Sequence, residues 1–566
     1  MYIGISSYFH ESSVALINNQ GNLLDFQREE WHSRVKGDKT FPRLALKKVI
    51  DHNDIDIKDI KFIFYEKPLR SWLTVVKQTI KSKGLLNPLS VNQFKNFWKS
   101  SISFYFDLIN NLETRSPTVY YCDHHLSHAM TANYYLDQFP CISVVLDGFG
   151  DNKCSTIYHF SSNNKFKIIW TSDYPNSVGL FYSTITDFLG FSVNSGEFKL
   201  MGLASFGSPK YVNQIRKMIY FENQKLKLDM NFFGFDNNLY NSYSSKLELL
   251  FDIKANNSPL TIEKNKNFQK YADIATSAQV VLQEIVLKIF NMAHNLTGIN
   301  NFTFTGGVAL NCKLVSELSK QTFINRLFIP PSPGDSGAAV GAAHFGFIYD
   351  KKQKKNLNDQ TNNYIYPGNF KQSNSFLDDL FEKVCEKNKI IHKSTELILD
   401  GNILATCINN IETGPRSLGN RSLLCNAEDK DIVKMLSEKI KGRESFIPVA
   451  PSMLRETAEK YFNLNKNINS CYFTMGATAT LNVNLKDFRY KSVVHKDLTS
   501  RIHICEEYSY IGKLMKNINS HTEILANTSF NFSNDPVSFS YEDSVMAIKK
   551  MNLKYLVTDE GIYKIK

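Results

Sequence analysis

The sequence predicts an α/β protein whose first part is duplicated, and three observations carry that prediction. Short β-type runs occur in two similar sets that are joined by tight polar turns. These runs span 2–7, 14–18 and 23–27 in one set, and 141–147, 155–160 and 166–171 in the other. A later strand at 302–305 continues directly into Gly306-Gly307 and a helical pattern. Together they indicate a duplicated α/β architecture with a cleft between its halves.

Further along the chain, the longest helical periodicity covers 268–297, and Gly298 supplies its stop. A polar, lysine-rich stretch without periodicity follows at 350–363 and predicts an interdomain linker. A new globular domain begins after Pro367-Gly368. We therefore expect a first domain at 1–349, a linker at 350–366 and a second domain at 367–566.

Composition narrows the class of protein. The chain has 566 residues, of which 43% are hydrophobic and 21% charged, as in folded enzymes rather than disordered chains. No apolar run approaches the roughly 18–20 residues of a membrane span, and the N-terminus lacks the basic region of a signal peptide. Nine cysteines without a CxxC pair indicate reduced thiols. We expect a cytoplasmic protein without a membrane partner.

The chain carries a net charge of +11, concentrated in its first part, which favours ligands that bear phosphate. Residues 67–100 contain seven Lys or Arg and no Asp or Glu, together with four Trp or Phe. Basic residues interleaved with aromatic ones suit nucleic-acid binding. An amphipathic helical pair with a basic outer face explains the same pattern, and both interpretations stay open.

A histidine pair predicts a metal site. His124 and His128 stand at i and i+4 of a helical segment, so their imidazoles face the same way. Asp147 closes a strand, and Asp335 begins a helix after a proline-rich loop. Two imidazoles with carboxylates form an open site for a divalent transition metal, namely iron, with manganese or zinc as alternatives. The alternative is ordinary packing, with Asp335 acting as a helix N-cap.

Two other groups of residues point to phosphate. The Gly306-Gly307 turn lets backbone approach a phosphate or ribose at a helix start, although it also occurs for packing alone. In the second domain, separated cations accompany an amide and hydroxyl loop, which suits ATP with an acyl phosphate. Solvated surface charge is the alternative for any single arginine. The segments concerned are GPRSLGNR at 414–421, KGRE at 441–444, Arg501 and NTSFN at 527–531.

These motifs occur in an order that resembles the O-carbamoyltransferases of the nodulation-protein and antibiotic-biosynthesis type. The resemblance covers essentially the whole chain. The motifs that carry it are GISSYFHESS, EEWHSRVKGDKTFP, FYEKP, DHHLSHA, LDGFGD, GEFKLMGLASFG, FTGGVALN, PPSPGDSGAAVGAA, GPRSLGNRS, KGRESFIPVAPSM, HKDLTSR and NTSFN.

The resemblance implies a first domain of the actin-like ATPase superfold and a YrdC-like second domain. It implies that the second domain converts ATP with Mg²⁺ and carbamoyl phosphate into carbamoyl adenylate. The first domain, with Fe²⁺ or another divalent transition metal, then transfers the carbamoyl group to an acceptor hydroxyl. The acceptor is a small molecule or sugar, or a hydroxymethylated pyrimidine base in DNA. A homodimer is left open.

The resemblance also implies roles for individual residues. His10 is the general base on the acceptor hydroxyl, and the metal ligands are His124, His128, Asp147 and Asp335. The nucleotide contacts of the first domain are Lys36, Gly306, Gly307 and Asn311. The residues that bind ATP and carbamoyl phosphate are Arg416, Lys441, Arg443, Arg501, Asn527 and Ser529.

Two family arginines are absent, because Asn410 and Ile447 occupy regions where the family pattern has guanidinium groups. Their loss bears on the use of carbamoyl phosphate as donor. Two alternatives stay open besides an O-carbamoyltransferase, and the missing arginines motivate the second of them. One is a transferase of the tRNA threonylcarbamoyl type, and the other is a degenerate, nucleotide-binding regulatory protein.

Overall fold

The computed structural model describes residues 1–71, 73–74, 77, 103–112, 117–136, 138–235, 242–258, 260, 264–351, 365–368 and 380–566. Contacts divide the chain into two compact units. The first unit comprises Met1–Gln27 and Lys39–Gln360, and the second comprises Arg28–Asp38 and Thr361–Lys566. Most of the predicted linker, 352–364, lies outside the described residues. Each unit is mixed α/β, as the sequence predicts at the level of fold class.

The first unit opens with the predicted meander, extended to a five-stranded sheet of order β3-β2-β1-β4-β5. Strand β1 pairs antiparallel with β2 and parallel with β4, and β4 pairs parallel with β5. All five residues of β1 and of β2 are buried, which explains their continuous apolar runs. The strands are β1 (Tyr2–Ser6), β2 (Ser13–Ile17), β3 (Leu23–Arg28), β4 (Lys61–Phe64) and β5 (Thr118–Tyr121).

A second five-stranded sheet of the first unit has the order β12-β11-β6-β7-β8. Strand β6 pairs antiparallel with β7 and parallel with β11, and β11 pairs parallel with β12. These relationships repeat those of the first sheet, so the predicted duplication is present. The strands of this sheet are β6 (Cys141–Gly150), β7 (Lys153–Ser162), β8 (Lys165–Asp173), β11 (Asn301–Thr305) and β12 (Arg326–Phe328). Strands β9 (Ile219–Glu222) and β10 (Lys225–Leu228) form a separate hairpin.

The helices of the first unit include the predicted long helix, which ends at Gly298 with a left-handed φ of 68°. Its apolar stripe is buried, in keeping with its 3.6-residue period. No helix within the described ranges is long and apolar enough to cross a membrane. The first helix of the chain, α1 (Glu29–Ser33), belongs to the second unit. The helices of the first unit are α2 (Arg43–Asn53), α3 (His124–Tyr135), α4 (Val178–Phe188), α5 (Glu197–Leu203), α6 (Val212–Ile215), α7 (Lys246–Phe251), α8 (Phe268–Thr297), α9 (Cys312–Ser319) and α10 (Asp335–Lys351).

Helices α3 and α10 pack at very short range. A Cβ atom placed on Gly341 of α10 would lie 1.8 Å from the carbonyl oxygen of Ser127 in α3, so only glycine allows this approach. Thr131 of α3 also donates a hydrogen bond of 3.0 Å to the carbonyl of Gly337 in α10. This contact brings the start of α10 beside the start of α3.

The second unit contains an eight-stranded mixed sheet of order β13-β23-β22-β14-β15-β21-β16-β20 and a small sheet of order β17-β18-β19. The small sheet consists of β17 (Phe462–Asn463), β18 (Thr478–Leu481) and β19 (Thr499–Arg501). The large sheet consists of β13 (Phe381–Glu386), β14 (Leu404–Cys407), β15 (Ser422–Asn426), β16 (Ala450–Met453), β20 (His503–Ile504), β21 (Leu525–Ser529), β22 (Tyr555–Thr558) and β23 (Gly561–Ile565).

Apolar faces of α11 and α15 cover the large sheet in a buried cluster that includes Ile398, Leu514, Leu525 and Val557. All nine cysteines of the chain are free thiols, as expected. The helices of the second unit after α1 are α11 (Ile390–Leu399), α12 (Lys430–Lys434), α13 (Arg455–Tyr461), α14 (Asn469–Phe473), α15 (Tyr510–Ile518) and α16 (Tyr541–Met551).

The segment Arg28–Asp38, here called the docked segment, belongs to the second unit although the predicted first domain spans 1–349. The Trp31 ring stacks on Phe539 with centroids 5.5 Å apart and an interplanar angle of 12°. Arg34 donates to the carbonyl of Val537 at 2.9 Å and forms an ion pair with Asp543 at 3.2 Å. These contacts are the physical reason for the difference from the predicted division.

Candidate functional site

Four side chains of the first unit converge at one point. His124 and His128 lie in the first turns of α3, Asp147 lies in β6, and Asp335 is the first residue of α10. One ligand atom from each lies within 4.8 Å of the other three. The structure therefore brings together all four residues predicted as metal ligands. Strand β6 continues to Gly150, so Asp147 lies within the strand rather than at its end.

The distances within this cluster are those of direct contact. The Nε2 atoms of His124 and His128 are 3.2 Å apart. Asp147 Oδ2 lies 3.2 Å from the first and 3.1 Å from the second. Asp335 Oδ1 lies 3.1 Å from Nε2 of His128 and 3.8 Å from Nε2 of His124. Both histidines are buried, so water screens these interactions little.

The other ring nitrogens decide which tautomer the histidines adopt. Nδ1 of His128 lies 3.1 Å from the carbonyl oxygen of Pro333, and a carbonyl only accepts. Nδ1 of His124 faces Glu66 Oε2 at 3.5 Å. With hydrogen on each Nδ1, both Nε2 lone pairs point at two carboxylates. Such facing lone pairs and negative charges are satisfied by a proton on a ring or by a metal ion between them, and the donor set fits a divalent transition metal.

Electrostatics of the cluster support the same conclusion. Burial lowers the pKa of His124, but Asp147 and Glu66 outweigh burial and hold it well above its ordinary value. Burial likewise raises the pKa of Asp147, yet the two histidines hold it well below its usual range. The carboxylate is thus ionised, and positive charge is favoured beside it.

Sequence reasoning missed the residues behind His124. Asp151, in a left-handed conformation with φ of 57°, accepts the backbone N–H of His124 at 2.9 Å and that of Lys67 at 2.8 Å. A Cβ atom on Gly150 would lie 2.1 Å from the His124 ring, so the ring needs glycine there. Glu66 lies in the motif FYEKP, and Gly150 and Asp151 lie in the motif LDGFGD. These two motifs are the sequence features from which the three residues could have been identified.

His10 lies at the edge of the cluster. Its Nε2 atom is 4.0 Å from Asp335 Oδ2, and its side chain is 41% exposed. This exposure leaves the ring accessible to an incoming molecule. Its role as general base stays a prediction.

The predicted nucleotide contacts of the first unit have other partners. The backbone N–H of Gly307 donates to Asp147 Oδ1 at 3.2 Å, so the Gly306-Gly307 turn lies against the cluster of two histidines and two aspartates. The Asn311 side chain caps α9 through the N–H of Leu314 and exchanges hydrogen bonds with Gln279. Its amide therefore serves the fold, and a nucleotide role stays a prediction.

In the second unit, Lys441 is buried among acceptors. Its Nζ lies 2.9 Å from the carbonyl of Ser529 and 3.2 Å from the Ser529 hydroxyl. It lies 2.6 Å from both the carbonyl and the side-chain oxygen of Asn531. Burial lowers the pKa of Lys441 well below its ordinary value, and the nearby Arg443 and Lys36 lower it further.

Arg443 continues this group of cations. Its Nη2 donates to Thr528 Oγ1 at 2.7 Å. Burial, followed by the charge of Arg501, lowers the pKa of Arg443 to about 10. The charges of Lys36 and Arg443 thus act on Lys441, and the charge of Arg501 acts on Arg443. These four residues, Lys36, Lys441, Arg443 and Arg501, are here called the cation cluster. Lys36 belongs to the docked segment of the second unit, which differs from the expectation that it lies in the first domain.

Asn527 connects this cluster to the loop that carries Arg416. Its Nδ2 donates to the carbonyl of Ser417 at 3.0 Å and to Ser452 Oγ at 2.9 Å. Ser452 Oγ lies 2.7 Å from Nδ1 of His503. Strand β21 thus carries Asn527 and Ser529, and all six residues predicted to bind ATP and carbamoyl phosphate lie in this unit.

The loop around Arg416 is held by buried charge. Glu412 Oε1 accepts the backbone N–H groups of Leu418 and Asn420 at 2.8 Å and 3.0 Å. Arg421 is fully buried and donates to the carbonyls of Ile408 and Phe539, among others. Asn410, at one of the positions without the family arginine, donates instead to the carbonyls of Tyr366 and Gly368.

Comparisons with known proteins match both parts of the chain to one family. Residues 1–344 match the family model described as carbamoyltransferase N-terminus, and residues 395–564 match carbamoyltransferase C-terminus. An uncharacterized protein of Synechocystis sp. is 28% identical over 99% of this chain and 96% of its own length. Nodulation protein NolNO of Sinorhizobium fredii is 25% identical over 99% of this chain and 79% of its own length.

Similarity to solved structures is much weaker. Full-length HypF in its phosphate- and nucleotide-bound form aligns with 62% of this chain and 55% of its own, at 13% identity and a TM-score of 0.32. Component A of the Acidaminococcus fermentans (R)-2-hydroxyglutaryl-CoA dehydratase aligns with 62% of this chain and 98% of its own, at 12% identity and a TM-score of 0.33.

Proposed function

This chain belongs to the carbamoyltransferase family and is a transferase, and we propose that it performs ATP-dependent O-carbamoyl transfer in two steps. In the first step, ATP and carbamoyl phosphate form carbamoyl adenylate, one water is consumed, and pyrophosphate and phosphate are released. In the second step, an acceptor hydroxyl oxygen bonds to the carbamoyl carbon while the bond to AMP breaks. AMP then leaves as the anion.

The cation cluster is the observation that carries the ATP-dependent step. Burial and mutual repulsion lower the pKa values of Lys441 and Arg443, which means that positive charge is concentrated there at an energetic cost. A polyanion removes that cost and gains charge-assisted hydrogen bonds. ATP bound with Mg²⁺ and carbamoyl phosphate are ligands of that charge, and Ser529 supplies a hydroxyl beside the same cations.

The transfer step uses the histidine and aspartate cluster of the first unit. The metal-holding residues would be His124, His128, Asp147 and Asp335, and we propose iron as the metal. A bound divalent ion would supply a Lewis acid for the carbamoyl carbonyl or an anchor for the adenylate phosphate. The second carboxylate oxygen of Asp147 accepts a hydrogen bond from the Gly307 N–H, which fixes the orientation of this side chain.

His10 is the residue that we propose as general base. Its exposed ring takes the proton of the acceptor hydroxyl as that oxygen attacks the carbamoyl carbon. Asp335, at 4.0 Å, stabilises the imidazolium that forms. The ring thereby stays next to the cluster, where the proton must be removed.

The fold assignments belong to the same proposal. The repeated five-stranded order of the first unit supports an actin-like ATPase superfold. We propose a YrdC-like fold for the second unit, with its cations arranged around strand β21. The Gly306-Gly307 turn beside Asp147 suits the backbone approach of a nucleotide such as the adenylate.

The test of the proposal follows both steps in one reaction. The full chain is incubated with ATP, Mg²⁺ and carbamoyl phosphate, and pyrophosphate and carbamoyl adenylate are measured. A candidate acceptor is then added and its mass recorded, with an expected gain of about 43 Da for each carbamoyl group. Formation of both products supports the proposal. Absence of pyrophosphate release with metal-loaded protein and both donors contradicts it.

A further inference from the structure

We propose that the docked segment delivers Lys36 to the donor site of the second unit, where its ammonium binds a phosphate group of ATP or of carbamoyl phosphate. This inference rests on the proposed function, because it concerns the site of carbamoyl adenylate formation. It reassigns Lys36 from the first domain, where the sequence resemblance places it, to the opposite half-reaction.

The docked segment is firmly attached to the second unit. Trp31 stacks on Phe539, and the His32 ring meets the same Phe539 edge-on at 4.8 Å. Arg34 donates to two successive carbonyls, those of Pro536 and Val537, at 3.1 Å and 2.9 Å. Such a combination of aromatic stacking and guanidinium hydrogen bonds fixes a short segment in both position and direction.

A tight turn then presents Lys36. Arg34 ends helix α1 with a left-handed φ of 59°. The N–H of Asp38 donates to the carbonyl of Val35 at 3.1 Å, and the N–H of Gly37 donates to Glu30 Oε2 at 2.8 Å. Lys36 therefore occupies the tip of a turn with a defined backbone, and its side chain is exposed.

One loop connects the anchor of the docked segment with the cation cluster. Lys441 contacts both oxygens of Asn531 at 2.6 Å. The Asn531 amide in turn donates to the carbonyl of Asp535 at 2.7 Å. The next two residues, Pro536 and Val537, accept from Arg34. The segment is thus docked on the same loop that holds Lys441, and Lys36 is near enough to lower the pKa of Lys441.

Lys441 acts on a phosphate through its charge, because its hydrogen bonds are already made to other groups. An ammonium group has three N–H donors, and four oxygens of Ser529 and Asn531 already surround this one. Its hydrogen bonds hold the NTSFN loop in place. Lys36 belongs to a segment docked on the same loop, and its exposed side chain can reach a phosphate bound beside Lys441. Recognition of a phosphate oxyanion then relieves the repulsion between the two lysines.

The test compares Lys36→Ala with Lys36→Arg and with Lys39→Ala. Lys39 is also exposed, lies three residues further along the chain and belongs to the first unit, so its variant is a matched control. Binding of ATP with Mg²⁺ and of carbamoyl phosphate is measured separately on the full chain. Pyrophosphate release and transfer from supplied carbamoyl adenylate are measured on the same preparations.

We expect Lys36→Ala to weaken binding of ATP or of carbamoyl phosphate roughly tenfold, the size of one charge-assisted hydrogen bond. The ligand affected identifies which phosphate Lys36 contacts. Lys36→Arg should retain most of the affinity, Lys39→Ala should match the unsubstituted protein, and transfer from supplied carbamoyl adenylate should be unchanged. Because Lys36 is exposed and its charge repels Lys441, the melting temperature should not fall.

Two results would overturn the inference while the proposed function stands. One is unchanged binding of both ligands by Lys36→Ala. The other is a loss confined to transfer from supplied carbamoyl adenylate, which would assign Lys36 to the site of the first unit. If the unsubstituted protein binds neither ATP nor carbamoyl phosphate, the proposed function itself fails and the inference fails with it.

Discussion

The Nδ1 atom of His128 lies 3.1 Å from the carbonyl oxygen of Pro333, two residues before Asp335 in the chain. One short stretch therefore orients the imidazole through its backbone and supplies a carboxylate to the other ring nitrogen, 3.1 Å away. A hydrogen bond to the remote nitrogen of a ligating histidine fixes both its tautomer and the direction of its lone pair. This arrangement fits a preformed site for a cation.

Replacing His128 tests that arrangement. His128→Ala should lower the affinity for Fe²⁺ or Zn²⁺ by at least about 100-fold, because a site of four ligands loses one of its two nitrogen donors. Affinity is measured by equilibrium dialysis with elemental analysis. The matched control is His125→Gln on the same helix, whose ring nitrogen instead contacts Thr156 Oγ1 at 2.8 Å. Equal metal content in the unsubstituted protein and in His128→Ala would contradict the assignment of the site.

Replacing Glu66 tests whether the carboxylate next to His124 contributes to metal binding. Its carboxylate is buried and faces Nδ1 of His124 at 3.5 Å. Glu66→Gln removes that negative charge with little change of shape, and metal affinity should fall by about 10- to 100-fold. Asp123→Asn is the control, because the Asp123 carboxylate pairs with Arg70 at 2.7 Å at the surface. The metal affinity of both variants is measured by the same equilibrium dialysis. An equal loss of affinity in Glu66→Gln and Asp123→Asn would argue against a specific role for Glu66.

The second unit should lose stability in acid because of His503. Burial lowers the pKa of this histidine from 6.5 to about 3, and its Nδ1 lies 2.7 Å from Ser452 Oγ. Because of this burial, the folded state holds His503 neutral with either Nδ1 tautomer toward Ser452, whereas the unfolded chain binds a proton below pH 6.5. The stability contributed is present above pH 6.5 and is lost progressively as the pH falls toward 3, by about 1.4 kcal/mol per pH unit.

Chemical denaturation at several pH values between about 7 and 5 measures this loss. His503→Gln lacks the titrating group. The slope of its unfolding free energy against pH should therefore be smaller than that of the unsubstituted protein, by the equivalent of about one bound proton. The comparison concerns slopes, so an overall destabilisation by the substitution does not affect it. Identical slopes in the two proteins would show that His503 is not held neutral.

The salt dependence of acceptor binding distinguishes a DNA acceptor from a neutral sugar. The predicted basic stretch at 67–100 lies largely outside the described residues, so its prediction stands on the sequence. If hydroxymethylated DNA is the acceptor, affinity should fall steeply with salt, by about 0.9 log units per log unit of salt for each phosphate contact. Replacing Lys77, Lys81 and Lys83 by Ala should flatten that slope by roughly two to three units. A neutral sugar acceptor predicts almost no salt effect, and no DNA binding at low ionic strength would exclude the DNA acceptor.

Local pattern was enough to predict much of the first unit. Alternation and turn residues predicted the strands of the opening meander, and the 3.6-residue period with Gly298 predicted the helix Phe268–Thr297 at its exact bounds. The i,i+4 spacing of His124 and His128 needed only helix geometry. Asp335 was predictable as a helix start, because the proline-rich loop before it cannot continue a helix.

Residues brought in by tertiary contact were not predictable in this way. Glu66 reaches His124 from the end of a parallel strand, 58 positions away in the chain. Arg34 contacts Val537 across 503 positions, and no local periodicity indicates such a pairing. The sequence therefore suggested that Lys36 belongs with its neighbours in the chain. Its segment instead belongs to the second unit, because aromatic and guanidinium contacts hold it there.

The most direct test of the whole account separates the two half-reactions in two single variants. Ser529→Ala and His128→Ala are each assayed for pyrophosphate release from ATP with carbamoyl phosphate, and for transfer from supplied carbamoyl adenylate to a hydroxyl acceptor. We expect Ser529→Ala to lose the first activity and keep the second, and His128→Ala to keep the first and lose the second. Loss of both activities in either variant, with its fold and melting temperature intact, would contradict the division of chemistry between the two units.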